Sequence, residues 1–261
     1  MSEQCRLSIV ALLVVLASAP VSMAEETARR GEVAEYQAAR VPRDAPLHAD
    51  WDEEPWKSVS PLSVSLAMGN PPDHRPKTQA KVAYDDRHLD LIFRVEDRFV
   101  RAVARGYHDS VCLDSCVEFF FTPNGDAQAG YLNLEINCCG VMLFGVHTPQ
   151  LPNGLVAVED CDRIEIVRSL PQKTIEPEIA SPIAWTVAVR LPFDVVRKYV
   201  RVEQPQPGTV WRANFYKCGD QTSHPHWLTW SQVDRPQPDF HQPAFFGRLT
   251  FAAGLTADSQ R

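Results

Sequence analysis

Residues 115–126, S-C-V-E-F-F-F-T-P-N-G-D, and 131–140, Y-L-N-L-E-I-N-C-C-G, decide how this chain is read. They form two strand-like runs joined by a short connection. The second run alternates strictly. Leu132, Leu134, Ile136 and Cys138 point one way, and Tyr131, Asn133, Glu135 and Asn137 the other. In the first run Val117, Phe119 and Phe121 share a side with Ser115, opposite Cys116, Glu118 and Phe120. A strand with one apolar face and one face of amides, carboxylate and phenol is half buried. Its polar face carries donors and acceptors suited to a polyhydroxylated ligand, although an ordinary solvated strand has the same appearance.

Working outward, the same pattern recurs at 63–68, 79–84, 89–95, 141–146, 163–168, 185–191, 210–217 and 246–251. The segments between are rich in Pro, Gly, Asn and Asp, as strand connections are. Twenty-one prolines argue against long helices. Only 193–199, behind Pro192, has a helical pattern. The predicted fold is an all-β antiparallel sandwich, jelly-roll-like, with one short helix. The expected division is a signal peptide at 1–24, a flexible arm at 25–45, the sandwich at 46–254 and a tail at 255–261.

The 261 residues are 44% hydrophobic, enough for a core, and carry a net charge of −7. No cluster of Lys and Arg invites nucleic acid or an anionic membrane surface. At the start, Arg6 precedes an apolar run over 7–19, and V-S-M-A ends at Ala24. This predicts export with cleavage before Glu25, hence a secreted or periplasmic protein not inserted in a membrane. Without that leader, six of the seven cysteines remain: Cys112, Cys116, Cys138, Cys139, Cys161 and Cys218. An even number in an exported chain predicts at least one disulfide, with connectivity open. Cys138 and Cys139, adjacent in a strand, should diverge and not pair. Spacing disfavours zinc: no C-x-x-C occurs, and Cys112 with Cys116 has no second half containing His.

Nucleophile elbows, phosphate loops and H-E-x-x-H are absent from the sequence. Glu118 and Glu135 are the available pair for a glycoside hydrolase, though two hydrogen-bonding carboxylates are the simpler reading. Arg94 is a natural ion partner for either. If the strands are neighbours, Arg94, Glu118, Glu135, Asn137 and Asn214 are expected to share one sheet face. Trp227 and Trp230, in H-P-H-W-L-T-W-S, offer flat surfaces for sugar rings, and Trp51 and Trp56 read mainly as core. Asp85, Asp86, Asp97, Asp114 and Asp126 are candidates for structural Ca2+, with ordinary turn roles as the default.

An ordered set of segments then resembles a known family. D-W-D-E-E-P-W lies at 50–56, V-A-Y-D-D-R-H-L-D-L-I-F-R-V-E-D at 82–97 and D-S-C-V-E-F-F-F-T-P at 114–123. Y-L-N-L-E-I-N-C-C-G follows, then W-R-A-N-F-Y-K-C-G-D at 211–220, L-T-W-S at 228–231 and P-D-F-H-Q-P-A-F-F-G-R-L-T-F at 238–251. Together they resemble the family 9 carbohydrate-binding modules and their DOMON-like relatives. The resemblance implies a β-sandwich that binds sugar in a groove, often with calcium, and commonly works beside xylan- or glucan-degrading glycoside hydrolases. By position it implies Arg94, Glu118, Asn137, Asn214, Lys217 and Trp230 as carbohydrate contacts. Cys112 stands where related sequences often carry an aromatic. A DOMON-like haem or redox domain is the alternative, with Met142, His147 and His241 as possible axial ligands.

Overall fold

The structure, a computed structural model, describes residues 33–126 and 129–255. The expected signal peptide and the first part of the expected arm lie outside the described residues.

Sixteen strands occur among the described residues. They are β1 (Glu35–Arg40), β2 (Leu62–Val64), β3 (Leu66–Ala67), β4 (Lys77–Tyr84), β5 (His88–Asp97) and β6 (Val100–Ala102). Then come β7 (Cys116–Thr122), β8 (Tyr131–Asn137), β9 (Met142–His147), β10 (Gly154–Leu155) and β11 (Glu165–Arg168). The last are β12 (Ile175–Ile179), β13 (Ile183–Pro192), β14 (Val210–Cys218), β15 (Trp227–Thr229) and β16 (Gly247–Phe251). One face of the sandwich runs β10-β9-β8-β7-β14-β16-β1, and the other β1-β4-β5-β13-β11. β15 edges β14 and also pairs with β3.

All ten strand-like runs read from the sequence contain strand, the run at 63–68 as two short strands, β2 pairing with β4 and β3 with β15. The core lies between the two faces, built from the odd-numbered side of β7 (Val117, Phe119, Phe121) and the matching sides of β8 and β14. Leu89, Leu91, Phe93 and Val95 of β5 and Trp185, Val187 and Val189 of β13 meet them. Each such fully buried side chain contributes about 1.5–3 kcal/mol relative to exposure. A second apolar layer covers the outside of the β4-β5-β13 face. There Trp51 and Trp56 pack on Ala83, Ile92 and Ala188. The Lys81 ammonium lies 4.1 Å from the Trp51 ring centre and donates to the Trp56 carbonyl at 2.7 Å. These two tryptophans are structural.

Three expectations are corrected. The segment 33–45 is not a loose arm. Glu35–Ala38 pair parallel with β16, and Ala39 and Arg40 then pair parallel with β4. Alternating E-Y-Q-A puts Tyr36 and Ala38 inward, and two small residues in a row, Ala38 and Ala39, let the strand cross from one sheet to the other. The sandwich is thus antiparallel except at this seam. Among the described residues there are two short α-helices where one was expected, Val158–Cys161 and Phe193–Val196, each of four residues. Finally, Cys138 and Cys139 do not diverge. β8 ends at Asn137, and the chain reverses at Gly140, whose φ is +84° and whose amide donates to the Asn137 carbonyl at 2.9 Å. In that turn strand alternation no longer applies, and both side chains pack into the same core, the Cys139 thiol donating to the Lys173 carbonyl at 3.2 Å. All six described cysteines are free thiols.

Candidate functional site

The outer face of β8-β7-β14 carries the site. β7 and β8 are in register, so Glu118 stands directly opposite Glu135, and Cys116 opposite Asn137. β14 lies on the other side of β7, with Tyr216 opposite Glu118 and Cys218 opposite Cys116. Alternation sends Cys116, Glu118, Phe120, Glu135, Tyr216 and Cys218 to this outer face. The segment after β15 folds back over it. Phe240 stacks on Tyr216 at 4.1 Å and 10°, and its carbonyl accepts from the Tyr216 hydroxyl at 3.1 Å.

Between the sheet and this cover lies a cleft of about 230 Å³. Its floor is Glu118, Glu135 and Cys218, and its walls include Cys112, Trp227 and Phe240. Asp220 and Asp239 also line it, while no Lys or Arg does. Trp227 is held by an indole hydrogen bond to Asp220 at 2.8 Å. A shallower hollow of about 400 Å³ adjoins the cleft through His241, which lines both. Its aromatic wall is a stack of Tyr131 on His147 at 4.6 Å, with the Tyr131 hydroxyl hydrogen-bonded to His241 at 2.9 Å.

The floor is acidic and buried. Burial pushes the Glu118 carboxyl well above the usual range, and the neighbouring Glu135 adds to the rise. Glu135 is raised by burial too, against the opposing amide of Asn133, which donates to it at 2.7 Å. Asp220 is raised for the same reason, with the Trp227 indole working against it. Such carboxyls offer both donors and acceptors to a neutral polar ligand.

The six residues implied as sugar contacts do not assemble. Glu118 alone lines the cleft. Arg94 faces outward, but from β5 on the opposite sheet, where it pairs with Glu96 at 3.5 Å. Alternation reports inside or outside and cannot say which outside. Asn137 and Asn214 are on the correct face but consumed by the backbone. The Asn137 Oδ1 accepts from the amides of Cys139 and Val141, and its Nδ2 donates to Asp114 at 3.0 Å. The Asn214 Oδ1 accepts from the amides of Phe215 and Ser231, and its Nδ2 donates to the Ser231 carbonyl at 3.0 Å. Lys217 has the inward parity of Phe215. It runs into the rim between the sheets, donating to His226 Nε2 at 2.7 Å and lying 3.6 Å from Asp97. Trp230 is a core residue, packed edge-on to Phe215 with ring centres 5.5 Å apart.

The residues missed are Asp220, Asp239 and Phe240, and of the two tryptophans named together it is Trp227, not Trp230, that lines the cleft. For Trp227 a signal was available. In an extended W-L-T-W the two tryptophans are three apart and must face opposite sides. Leu228 and Trp230 take the core, so Trp227 takes the groove.

The other candidates sort as follows. Met142 is fully buried in the inter-sheet core, so it is not available as an axial ligand in the groove. His147 has both ring nitrogens engaged, with the Pro152 carbonyl at 2.6 Å and Asn133 Oδ1 at 2.9 Å. The aspartates named for calcium do not fit one cage. Asp85 binds the amides of Arg87 and His88, Asp86 pairs with Arg40, and Asp97 bonds His74. Asp114 accepts from Val103, Ala104, Arg101 and Asn137.

This architecture matches known proteins. The family model for carbohydrate-binding family 9 matches residues 64–251. The fold is similar to that of a Bacteroides uniformis protein provisionally assigned to carbohydrate binding. That protein is 27% identical with a TM-score of 0.76, over 84% of this chain and 100% of the other. It is also similar to a family 9 module of Caldicellulosiruptor kristjanssonii in complex with glucose. There the identity is 14% and the TM-score 0.56, over 87% of this chain and 98% of the module. The cellotriose complex of a family 9 module from that organism gives 14% and 0.55, over 86% and 96%. Among curated proteins, none matches this sequence. Carrying the family's segments in order on the family's sandwich, this chain belongs to carbohydrate-binding family 9.

Proposed function

We propose that the cleft over β7, β8 and β14 binds the end of a glucan- or xylan-type oligosaccharide, without cleaving it. The observation that carries this reading is the pairing of the Trp227 indole with a floor of buried carboxyls in one small cleft. An indole face suits the C–H face of a pyranose, and carboxyls suit adjacent hydroxyls. Binding of glucose and cellotriose by the Caldicellulosiruptor modules supports this ligand class. The leader-like start supports export, and the protein then serves carbohydrate breakdown beside glycoside hydrolases outside the cytoplasm. Among the described residues no helix is long and apolar enough to cross a membrane.

The test is calorimetry with cello- and xylo-oligosaccharides on the protein and on Trp227→Ala. Binding that weakens in the variant supports the reading. Binding that is indifferent to the indole moves the site elsewhere, and release of reducing sugar would make the protein an enzyme.

A further inference from the structure

Beside the cleft floor lies a second constellation, which shares Glu118 with the proposed sugar site and adds two thiols. Cys116 and Cys218 are directly opposed on β7 and β14, and Glu118 is the next outward residue on β7. One ligand atom from each, two Sγ and a carboxylate oxygen, all lie within 4.8 Å of one another. The Cys218 thiol sits 3.2 Å from Glu118 Oε1. A tetrahedral zinc ion, with Zn–S about 2.3 Å and Zn–O about 2.1 Å, needs sulfur–sulfur and sulfur–oxygen separations of about 3.8 and 3.6 Å. The three atoms are therefore close enough together to share one such ion after small adjustments of their side chains.

Charge gives a second and independent indication. Glu118 is 2% exposed, and its hydrogen-bond partner is a thiol. The cleft lining adds Glu135, Asp220 and Asp239 but no Lys or Arg. Lys217, the neighbour of Cys218 in sequence, is turned through the sheet toward Asp97 and His226. This buried carboxyl, with no Lys or Arg lining the cleft, has a thiol but no cation as its partner.

We infer that Cys116, Cys218 and Glu118 form a binding site for a thiophilic divalent cation of the zinc class, with its fourth position open to the cleft. Two sulfurs and one oxygen select zinc-like ions over calcium and magnesium, which take oxygen ligands. Binding replaces the two thiol protons and the proton of the Glu118 carboxyl where it carries one, all of which leave to solvent, and involves no change in oxidation state. The spacing rules that disfavoured zinc look for knuckles local in sequence, whereas these ligands come from strands 100 residues apart. The site does not depend on the sugar reading.

The experiment uses the protein purified under reducing conditions, stripped with a chelator and titrated with Co2+. The expected result is one ion per chain, with sulfur-to-cobalt charge-transfer absorption and tetrahedral visible bands, all displaced by Zn2+. Cys218→Ser should abolish the charge-transfer absorption, and Cys161→Ser should leave it intact. Glu118→Gln should keep the thiolate absorption with weaker affinity. Folded, reduced protein that shows no such absorption overturns the inference, as does absorption that survives Cys218→Ser. Recovery of Cys116 and Cys218 in one disulfide-linked peptide, from protein alkylated at the moment of cell lysis, also overturns it.

Discussion

At the scale of single residues, two tryptophans three positions apart have separate duties. Trp230 fills the core against Phe215, and a Cβ built on Gly247 would come within 2.5 Å of its ring. Trp230→Ala should therefore cost about 3–5 kcal/mol of stability, visible as a lower urea midpoint, and Gly247→Ala should also destabilise. Trp227→Ala should leave that midpoint nearly unchanged and cost about 2 kcal/mol of sugar affinity, roughly thirtyfold in Kd. If the two variants exchange these phenotypes, the assignment of faces is wrong. Cys112 is also on the cleft wall, half-buried, at the place where related sequences often carry an aromatic. Cys112→Trp should supply a second flat wall and tighten sugar binding. Calorimetry that shows no gain would mean that the Trp227 side alone sets affinity.

At the scale of elements, strands with long alternation were legible and short or mixed ones were not. Each of the ten recognised runs buries one face against the core, and period-two patterning is the direct trace of that burial. β10 is two residues long and β6 three, too short to display a period. β1 was missed because its inward residues beyond Tyr36 are alanines, which carry little hydrophobic signal but are what a strand crossing between sheets requires. The site was legible only in part. Glu118 and Glu135 could be found because they interrupt apolar strands. Arg94 and Lys217 were misplaced because sequence gives parity along one strand, not which sheet or rim that strand joins. Nor does it show which amides the turns consume. The structure makes β1 decisive. Ala38 and Ala39 are fully buried at the seam, so Ala38→Asp should place an unpaired charge between the sheets. The expected outcome is insoluble or protease-sensitive protein, assayed by limited proteolysis beside an Ala38→Gly control. A soluble, resistant Ala38→Asp protein would show that the seam tolerates opening.

At the scale of the whole molecule, acid is the expected weakness. His226 is buried at the rim with Lys217, His74, His224 and Asp97 around it. Its Nδ1 donates to the His224 carbonyl at 2.9 Å and its Nε2 accepts from Lys217, an arrangement open only to the neutral ring. Burial first, then the Lys217 charge, pushes its pKa down from 6.5 to about 2. A folded pKa below the unfolded one means that the unfolded chain takes up the proton first. The stabilisation is complete above pH about 6.5 and is lost as pH falls toward 2, by about 1.4 kcal/mol per unit. Melting temperature should fall steeply from pH 7 to 5, and His226→Gln should flatten that slope. Parallel slopes for the two proteins would assign the acid sensitivity to other groups. The seam strand has a consequence of another kind. β1 pairs with β16, so the first described strand is completed by the last. A ribosome delivers β1 long before β16 exists. The β1–β16 seam cannot close vectorially, and the nascent chain holds that edge of β1 unpaired until β16 has emerged. That interval is when a chaperone would have most to hold.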